Sequence, residues 1–154
     1  MNKRAFLDEL EKKLRSAQRF GKTLSLIVTD IDHFKSVNDT YGHATGDLVI
    51  KELGRILRRC KRDTDVVARF GGEEFCILLE ETETEGAILF AERVREELLK
   101  TVFQTELGKL SVKASLGVAT FPLHAQTAGD LFEASDKALY AAKHGGRNQV
   151  RTAA

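Results

Sequence analysis

The sequence contains little of what marks a secreted, membrane-spanning or strongly charged protein. Among its 154 residues are one proline, two cysteines and no tryptophan, and its formal net charge is only +1. With 42% hydrophobic and 31% charged residues, the composition is typical of a soluble globular protein with a single core. A net charge so near zero argues against binding nucleic acid or a membrane by bulk electrostatics. A bound anion must therefore be held by a local site.

Long apolar segments are also absent. The longest, such as LSLIV at 24–28, have the length of a strand and fall far below the roughly 20 residues of a membrane span. The charged start MNKRAFLDELEKKLR leads into no apolar core, so nothing resembles a signal peptide. Cys60 and Cys76 match no metal-binding spacing, and two reduced core thiols are favoured over a disulfide. We expect a cytoplasmic domain over residues 1–154 with no membrane contact of its own, although a longer parent chain could be membrane-anchored.

Hydrophobic periodicity predicts helices alternating irregularly with strands. The predicted helices cover 2–20, 34–41, a segment that Thr45 could cap, 84–100 and 127–143. The predicted strands cover 23–32, 65–70, 75–80 and 111–120, with a short final strand in RNQV at 147–150. Because the second and third strands flank GGEE as a hairpin, a purely parallel doubly wound fold is excluded. The order predicts an α+β fold, a central antiparallel or mixed β-sheet surrounded by helices.

Acidic residues occupy two places where strands are predicted to end. Asp30 and Asp32 finish one apolar strand, and Glu73 and Glu74 lie in the hairpin turn. If the hairpin pairs with the first strand, all four carboxylates can meet at one edge of the sheet, where Mg²⁺ could bind them together with nucleotide phosphates. An exposed acidic turn is the alternative. The repulsion between neighbouring carboxylates, about 1 kcal/mol at 4 Å in water, is too small to decide between the two interpretations.

Three separated blocks resemble one family. They are GGEEF at 71–75, DIDHFKSVNDTYGHATGD at 30–47 and SDKALYAAKHGGRNQV at 135–150, and together they resemble the GGDEF family, the diguanylate cyclases. The resemblance implies the antiparallel sheet of nucleotidyl cyclases and polymerase palms. It also implies condensation of two GTP into cyclic di-GMP and two pyrophosphates at the interface of a homodimer of domains. The chain then resembles a catalytic domain excised from a longer sensory protein.

The resemblance assigns the reaction chemistry to the acidic blocks. It implies metal binding by Asp30, the carbonyl of Ile31, Glu73 and Glu74, with two Mg²⁺ per active site and Mn²⁺ as an alternative. Glu73 matches the residue that also receives the proton of the attacking 3′-hydroxyl, or mainly orients that hydroxyl. Lys35 matches a lysine that neutralises phosphate charge. Asp32 has no such role in the resemblance and is expected to be a structural, hydrogen-bonded acid.

Substrate recognition is assigned in the same way. Asp47 and Asn38 match the residues that read the guanine edge, since one carboxylate can accept both guanine N–H donors. His43 could line the same pocket, or could simply mark a helix boundary. Lys143 and Arg147 match basic groups that hold the β- and γ-phosphates.

RDTD at 62–65 resembles the family's RxxD inhibitory motif. The resemblance implies that Arg62 and Asp65 bind the product, cyclic di-GMP, and that Arg93 could add a contact. By residue type alone, the same four residues are a charged helix-to-strand connection without a ligand. The alternative to a product-inhibited cyclase is a non-catalytic module that binds GTP or cyclic di-GMP.

Overall fold

A five-stranded sheet with helices on both faces forms the centre of the protein in a computed structural model that describes residues 1–154. The helices are α1 (Lys3–Phe20), α2 (Phe34–Tyr41), α3 (His43–Cys60), α4 (Thr84–Lys100) and α5 (Ala128–His144). The strands are β1 (Leu24–Ile31), β2 (Val66–Gly71), β3 (Glu74–Glu80), β4 (Phe103–Thr105), β5 (Gly108–Leu110), β6 (Ala114–Phe121) and β7 (Val150–Thr152). The sheet order is β2-β3-β1-β6-β7, and β4 and β5 form a separate small hairpin.

Strand β1 lies at the centre of the sheet and is buried along its whole length. It pairs antiparallel with β3 on one side and with β6 on the other. Only β7 runs parallel to its neighbour, β6. The sheet is therefore mixed, and the predicted α+β class is confirmed.

Alternation along β1 gives the sheet two hydrophobic faces. Ile27 and Ile31 belong to a cluster that packs against α2, α3 and α4. Leu26 and Val28 belong to a second cluster that packs against α1 and α5. Because side chains alternate along a strand, Asp30 follows Val28 on the face that α1 and α5 cover.

Helix boundaries agree with the capping signals in most places. Asn2 accepts a hydrogen bond from the Ala5 amide at the start of α1, and Gly21 ends that helix in a left-handed conformation. Thr127 accepts from the Asp130 amide at 3.1 Å, as a capping residue does. The predicted bounds 34–41 and 84–100 are confirmed.

Three boundary predictions are wrong. The short final strand predicted in RNQV at 147–150 covers Val150–Thr152 instead, because residues 146–148 have positive φ values that no strand adopts. Thr45 does not cap α3, because that helix already begins at His43. Gly42, at φ 93°, turns the chain between α2 and α3 in a single residue, so no further capping residue is needed. The strand predicted over 111–120 begins only at Ala114, since the preceding residues leave the β4–β5 hairpin. That hairpin was not predicted, because strands of three residues are too short to show an alternating pattern.

Both cysteines are unpaired, as predicted. Cys76 is buried in β3, whereas Cys60 is only half-buried at the end of α3, so just one of the two is a full core thiol. Burial raises the pKa of both thiols. None of the five helices combines the length and apolar character needed to cross a bilayer.

Helix α5 approaches the sheet unusually closely at Gly117. A Cβ atom at this position would lie 2.2 Å from the backbone nitrogen of Leu139 and 2.2 Å from the carbonyl oxygen of Ser135. The buried Ser135 hydroxyl in turn lies 2.9 Å from the Gly117 carbonyl and 3.1 Å from the Leu26 carbonyl. These contacts fix α5 over β6 and β1, and so determine where the C-terminal end of the helix lies.

Gly117→Ala is therefore expected to destabilise the protein. Because the new methyl group meets backbone rather than a flexible side chain, we expect a loss of more than about 2 kcal/mol in the free energy of unfolding, measured by denaturant titration. Gly129→Ala is the matched control, since a Cβ there has nothing within 4 Å. Equal stabilities of the two variants would contradict this account of the packing.

Candidate active site

Three of the four predicted acids line one pocket at the edge of the sheet. Antiparallel pairing of β1 with β3 places Asp30 directly opposite Glu74. The pocket has a volume of about 270 Å³. Its lining comprises Lys3, Asp30, Phe70, Gly71, Gly72, Glu73 and Glu74. The prediction that the hairpin pairs with the first strand and collects carboxylates at one edge is confirmed for these three residues.

The two glycines leave the hairpin turn open. A Cβ at Gly71 or Gly72 would meet nothing within 4 Å, and neither residue has a positive φ. Arg69 lies against this backbone and donates to the Gly72 carbonyl at 2.8 Å through a terminal nitrogen. Because conformation does not require glycine here, the bare backbone mainly gives access to a ligand.

Asp30 is the most deeply placed acid of the pocket, with 7% of its surface exposed. Its Oδ2 accepts from the ammonium group of Lys143, while its Oδ1 is buried without a hydrogen-bond partner. Buried carboxylate oxygens are nearly always paired in folded proteins. The unpaired Oδ1 therefore fits a cation, and Lys143 neutralises the other oxygen of the same group.

Glu74 lies in an environment that disfavours its charge. Burial raises its pKa, and the nearby carboxylates of Asp136 and Asp30 raise it further, against the opposing effect of Lys143 and Lys3. No three His, Cys, Asp or Glu side chains lie together so as to hold a metal ion. The side chains thus fit a hard cation in charge and atom type, but its remaining oxygen ligands must come from backbone or from a bound anion.

Asp32 does not join these acids. Its Oδ1 accepts from the Ser115 hydroxyl at 2.6 Å, and its Oδ2 accepts from the Asn148 amide at 2.8 Å. The expectation of a structural, hydrogen-bonded acid is confirmed.

The residues predicted to read the base lie where α2 meets α3. Asn38 has a buried side-chain oxygen without a partner. It packs so tightly on α3 that a Cβ at Gly46 would lie 1.9 Å from this oxygen, which places Asn38 beside Asp47. Asp47 is exposed and lines a pocket of about 500 Å³ together with Lys51, Arg58 and Arg69, among others. His43 is the first residue of α3 and is exposed, so it does mark a helix boundary.

The predicted phosphate-binding cations are less uniform. Lys35 is exposed in the first turn of α2, a helix whose N-terminus has no side-chain cap. Arg147 is exposed and donates to the Lys143 carbonyl at 3.2 Å, while the Lys143 side chain contacts Asp30. The structure thus brings Lys143 into contact with Asp30, one of the residues that line the acidic pocket, whereas no hydrogen bond or ion pair joins Lys35 to that pocket.

Arg62 and Asp65 lie at the opposite end of the β2–β3 hairpin, where residues 66–69 separate Asp65 from the nearest pocket residue, Phe70, by about 17 Å of strand. Arg62 donates to both Asp65 oxygens, at 2.9 and 3.2 Å, and to the Glu80 carbonyl at 2.6 Å. The hydrogen bond with Asp65 raises the pKa of Arg62. Asp65 is buried, so in this arrangement its oxygens are not open to a ligand. Arg93 lies on the exposed side of α4 and contacts neither residue.

Two contributors to the pocket were not predicted as site residues. Lys3 lines it from the start of α1, and Asp136 acts on Glu74 from α5. A sequence signal existed for Asp136, because it precedes Lys143 by seven residues, two helical turns, and so lies on the same face of α5. Lys3 had none, since only tertiary packing brings α1 to the hairpin.

The fold and this acidic edge define a class of protein, an α+β domain with a mixed sheet and a cluster of carboxylates at the β2–β3 hairpin turn. The family model described as "Diguanylate cyclase, GGDEF domain" matches residues 1–149. The chain therefore belongs to the GGDEF family of diguanylate cyclases.

Individual relatives agree with this assignment. Diguanylate cyclase A of Treponema denticola is 42% identical over 137 residues, which cover 89% of this chain and 37% of that protein. Diguanylate cyclase DgcP of Pseudomonas aeruginosa is 40% identical over 153 residues, covering 99% of this chain and 22% of that protein. The chain thus spans well under half the length of these curated relatives.

Solved structures show the same fold. The GGDEF domain of DgcB from Caulobacter crescentus, in complex with c-di-GMP, matches with a TM-score of 0.93 and 34% identity, covering 98% of this chain and 90% of that one. The active GGEEF domain of a diguanylate cyclase from Vibrio cholerae matches with a TM-score of 0.93 and 33% identity, covering 99% and 97%.

The raised pKa of Glu74 predicts how stability depends on pH. Because the folded-state pKa exceeds the unfolded value, Glu74 supports folding fully below its unfolded pKa, and this support is lost as pH rises through the folded pKa. In metal-free protein, Glu74→Gln should therefore gain thermal stability relative to wild type as pH rises from about 4 to about 8.

Thermal melts in EDTA measure this difference. Glu106→Gln, in the exposed β4–β5 turn, is the control and should follow wild type throughout. A Glu74→Gln variant that is no more stable than wild type at the higher pH would show that the pocket does not disfavour the ionised carboxylate.

Proposed function

We propose that this chain is the catalytic domain of a diguanylate cyclase, which condenses two GTP into cyclic di-GMP and two pyrophosphates. The observation that best supports this proposal is that Asp30 lies opposite Glu74, beside the Gly71–Gly72 turn. One carboxylate oxygen of Asp30 is buried there without a hydrogen-bond partner. The three carboxylates outnumber the lysines beside them, Lys3 and Lys143, so the site keeps a net negative charge, and its open turn leaves room for a Mg²⁺–nucleotide complex. Membership in the GGDEF family supports the choice of GTP as substrate.

Asp30, Glu73, Glu74 and the Ile31 carbonyl are the proposed metal ligands. When bound, two Mg²⁺, or Mn²⁺ in their place, would polarise the α-phosphate and stabilise the leaving pyrophosphate. Asp30 supplies its unpaired Oδ1. Its other oxygen becomes free when Lys143 turns from the carboxylate to a phosphate.

The phosphates are proposed to lie between Lys35, Lys143 and Arg147. The N-terminus of α2 is separated from the end of β1 by two residues and has no side-chain cap, and we propose that its free backbone amides also bind the phosphates, a common anion-binding arrangement. Lys143 has an acidic partner in the structure, whereas Lys35 has none. We expect Lys143 to exchange one anion for another on substrate binding, and Lys35 to add new positive charge.

Asn38, Asp47 and His43 are proposed to surround the base. The buried, unpaired oxygen of Asn38 can accept from a guanine amino group, and Asp47 can accept two parallel guanine N–H donors. Adenine presents an acceptor at N1, so it would leave these oxygens unpaired. Such mismatches discriminate strongly between substrates.

The reaction requires two domains facing each other. In each half, the 3′-oxygen of one GTP forms a bond to the α-phosphorus of the other, the bond from that phosphorus to pyrophosphate breaks, and the 3′-hydroxyl loses its proton. Glu73 lies in the turn itself, half-buried at the mouth of the pocket, where it can orient the incoming hydroxyl. A homodimer is therefore part of the proposal.

The alternative is a non-catalytic module that binds GTP or cyclic di-GMP. An isolated domain could behave in this way because no partner holds the second nucleotide. The three carboxylates that line the pocket, with Lys143 bonded to Asp30, favour the enzyme.

An assay with forced pairing tests the activity. Fused to a parallel dimeric coiled coil and supplied with GTP and Mg²⁺, the domain should form cyclic di-GMP, detected by chromatography. Glu73→Gln should reduce kcat by about 100-fold or more, because it removes a carboxylate that acts on the reacting hydroxyl. Glu81→Gln, outside the pocket, is the matched control. Nucleotide binding without product in the paired wild type would favour the non-catalytic module.

Product inhibition through Arg62 and Asp65 is also proposed. Arg62 is exposed, and its second terminal nitrogen makes no hydrogen bond, so it can reach a guanine edge or a phosphate. Binding by Asp65 requires Arg62 to release it first. Without a ligand, Arg62 and Asp65 of the proposed inhibitory site are therefore paired with each other.

Removing the pair together tests this site. Arg62→Ala alone would leave Asp65 as a buried, unpaired charge, which is itself destabilising. The double variant Arg62→Ala/Asp65→Ala avoids that problem and should raise the inhibition constant for cyclic di-GMP by about tenfold or more while preserving initial turnover. Asp63→Ala, in the same connection, is the control. Inhibition of the double variant at the wild-type concentration of product would exclude this site.

A further inference from the structure

We propose that Asp32 is a positioning residue that holds the loop of residues 145–149, and through it the Lys143 and Arg147 cations, against the acidic edge that Asp30 forms. The inference rests on the proposed function, since it assigns those cations to the triphosphate. It gives Asp32 a role distinct from that of a metal ligand, although Asp30 is only two residues away.

The hydrogen bonds of Asp32 support this role. Both carboxylate oxygens are used, one by the Ser115 hydroxyl at 2.6 Å and one by the Asn148 amide at 2.8 Å. The residue is 6% exposed and does not line the acidic pocket. Asp32 therefore joins the end of β1 to β6 and to the loop after α5.

The loop that Asp32 holds has an unfavourable backbone conformation. Gly146, Arg147 and Asn148 have consecutive φ values of 115°, 60° and 46°. Glycine adopts this region freely and asparagine tolerates it, but arginine disfavours it. Such a conformation persists only where surrounding contacts determine it. The bond from the Asn148 amide to Asp32 is the contact that joins this segment to the strand carrying Asp30.

A second contact supports the loop from another element. The Asn148 side-chain oxygen accepts from Arg95 of α4 at 3.0 Å, and Arg95 is itself held by Glu92 at 2.7 Å. Asn148 is thus fixed through its backbone by Asp32, which directly follows β1, and through its side chain by Arg95 of α4. The Arg147 backbone lies between these anchors and the end of α5, and its side chain donates to the Lys143 carbonyl at 3.2 Å.

The anchor at Asp32 brings together site residues that are far apart in the sequence. Asp30 lies near the end of β1 and Asp32 directly follows that strand, whereas Lys143 and Arg147 lie more than a hundred residues later. We therefore assign these two neighbouring acids different roles. Asp30 faces the ligand, and Asp32 fixes the spacing between the acids and the phosphate-binding cations.

Two substitutions at Asp32 separate spacing from charge. Asp32→Asn removes the charge but keeps an oxygen for the Asn148 amide and an amide group that can donate to the Ser115 hydroxyl. Asp32→Ala removes both bonds. Calorimetry would give the affinities of each variant for a non-hydrolysable GTP analogue with Mg²⁺ and for GMP. Amide hydrogen exchange of residues 145–149 in nucleotide-free protein would report how firmly the loop is held.

The expected pattern is selective. Asp32→Ala should lose about tenfold or more in affinity for the GTP analogue, as on losing one charge-assisted phosphate contact, with GMP affinity changed less than about twofold. Its loop should also exchange faster than in wild type. Asp32→Asn should remain within about threefold of wild type for both nucleotides. Asp32→Ser, whose hydroxyl can serve only one of the two partners, should show the same selective loss to a smaller degree and serves as the test if Asp32→Ala fails to fold. Asn148→Ala keeps the backbone amide that donates to Asp32 and removes only the contact with Arg95, so it should lose less affinity than Asp32→Ala.

Other outcomes overturn the inference. Equal losses in Asp32→Asn and Asp32→Ala would show that charge, not spacing, matters. Equal losses for GMP and the GTP analogue would indicate a general structural role, and unchanged loop exchange in Asp32→Ala would exclude the anchor itself. Wild-type protein that binds neither nucleotide would refute the proposed function, while the exchange measurement would still decide whether Asp32 holds the loop.

Discussion

The cross-strand pairing of β1 with β3 is the constraint on which the site depends. It sets Asp30 opposite Glu74, on the face covered by α1 and α5, and it brings the glycine turn beside them. Carboxylates on directly opposite residues of paired strands repel each other, and partial burial strengthens this repulsion. The main-chain ladder and the hydrophobic contacts of the strands hold the carboxylates together despite this cost. The fold thereby concentrates negative charge at this edge of the sheet, which favours basic side chains and cations there.

Two basic groups lie beside these carboxylates, each on a different helix. Lys143 contacts Asp30 from the end of α5, and Lys3 lines the pocket from the start of α1. The position of Lys143 follows from the close packing of α5 on Gly117, where no side chain intervenes. Packing at the middle of the helix therefore governs electrostatics at its end. This relationship explains how an ordinary helix-end lysine becomes part of an acidic site.

The β2–β3 hairpin connects two chemically different ends of the molecule. The turn at one end carries Glu73 and Glu74, and the other end meets the ion pair of Arg62 with Asp65 and the Glu80 carbonyl. Both sites thus depend on the same two strands. Because Arg62 contacts Glu80, the last residue of β3, a ligand that recruits its guanidinium would act on the strand that begins at the Gly71–Glu74 turn. This continuity is a physical basis for the proposed product inhibition.

The sequence by itself determined the types and order of the main elements, the acidic hairpin and the family, because periodicity, glycines and contiguous blocks are local signals. It could not reveal the β4–β5 hairpin, whose strands are too short for a pattern, or the start of α3 at His43, which a single turn at Gly42 decides. Only tertiary structure separated the two aspartates, since Asp32 meets Ser115 and Asn148 while Asp30 keeps an unpaired oxygen. Partners distant along the chain decide such roles, and no local spacing encodes them.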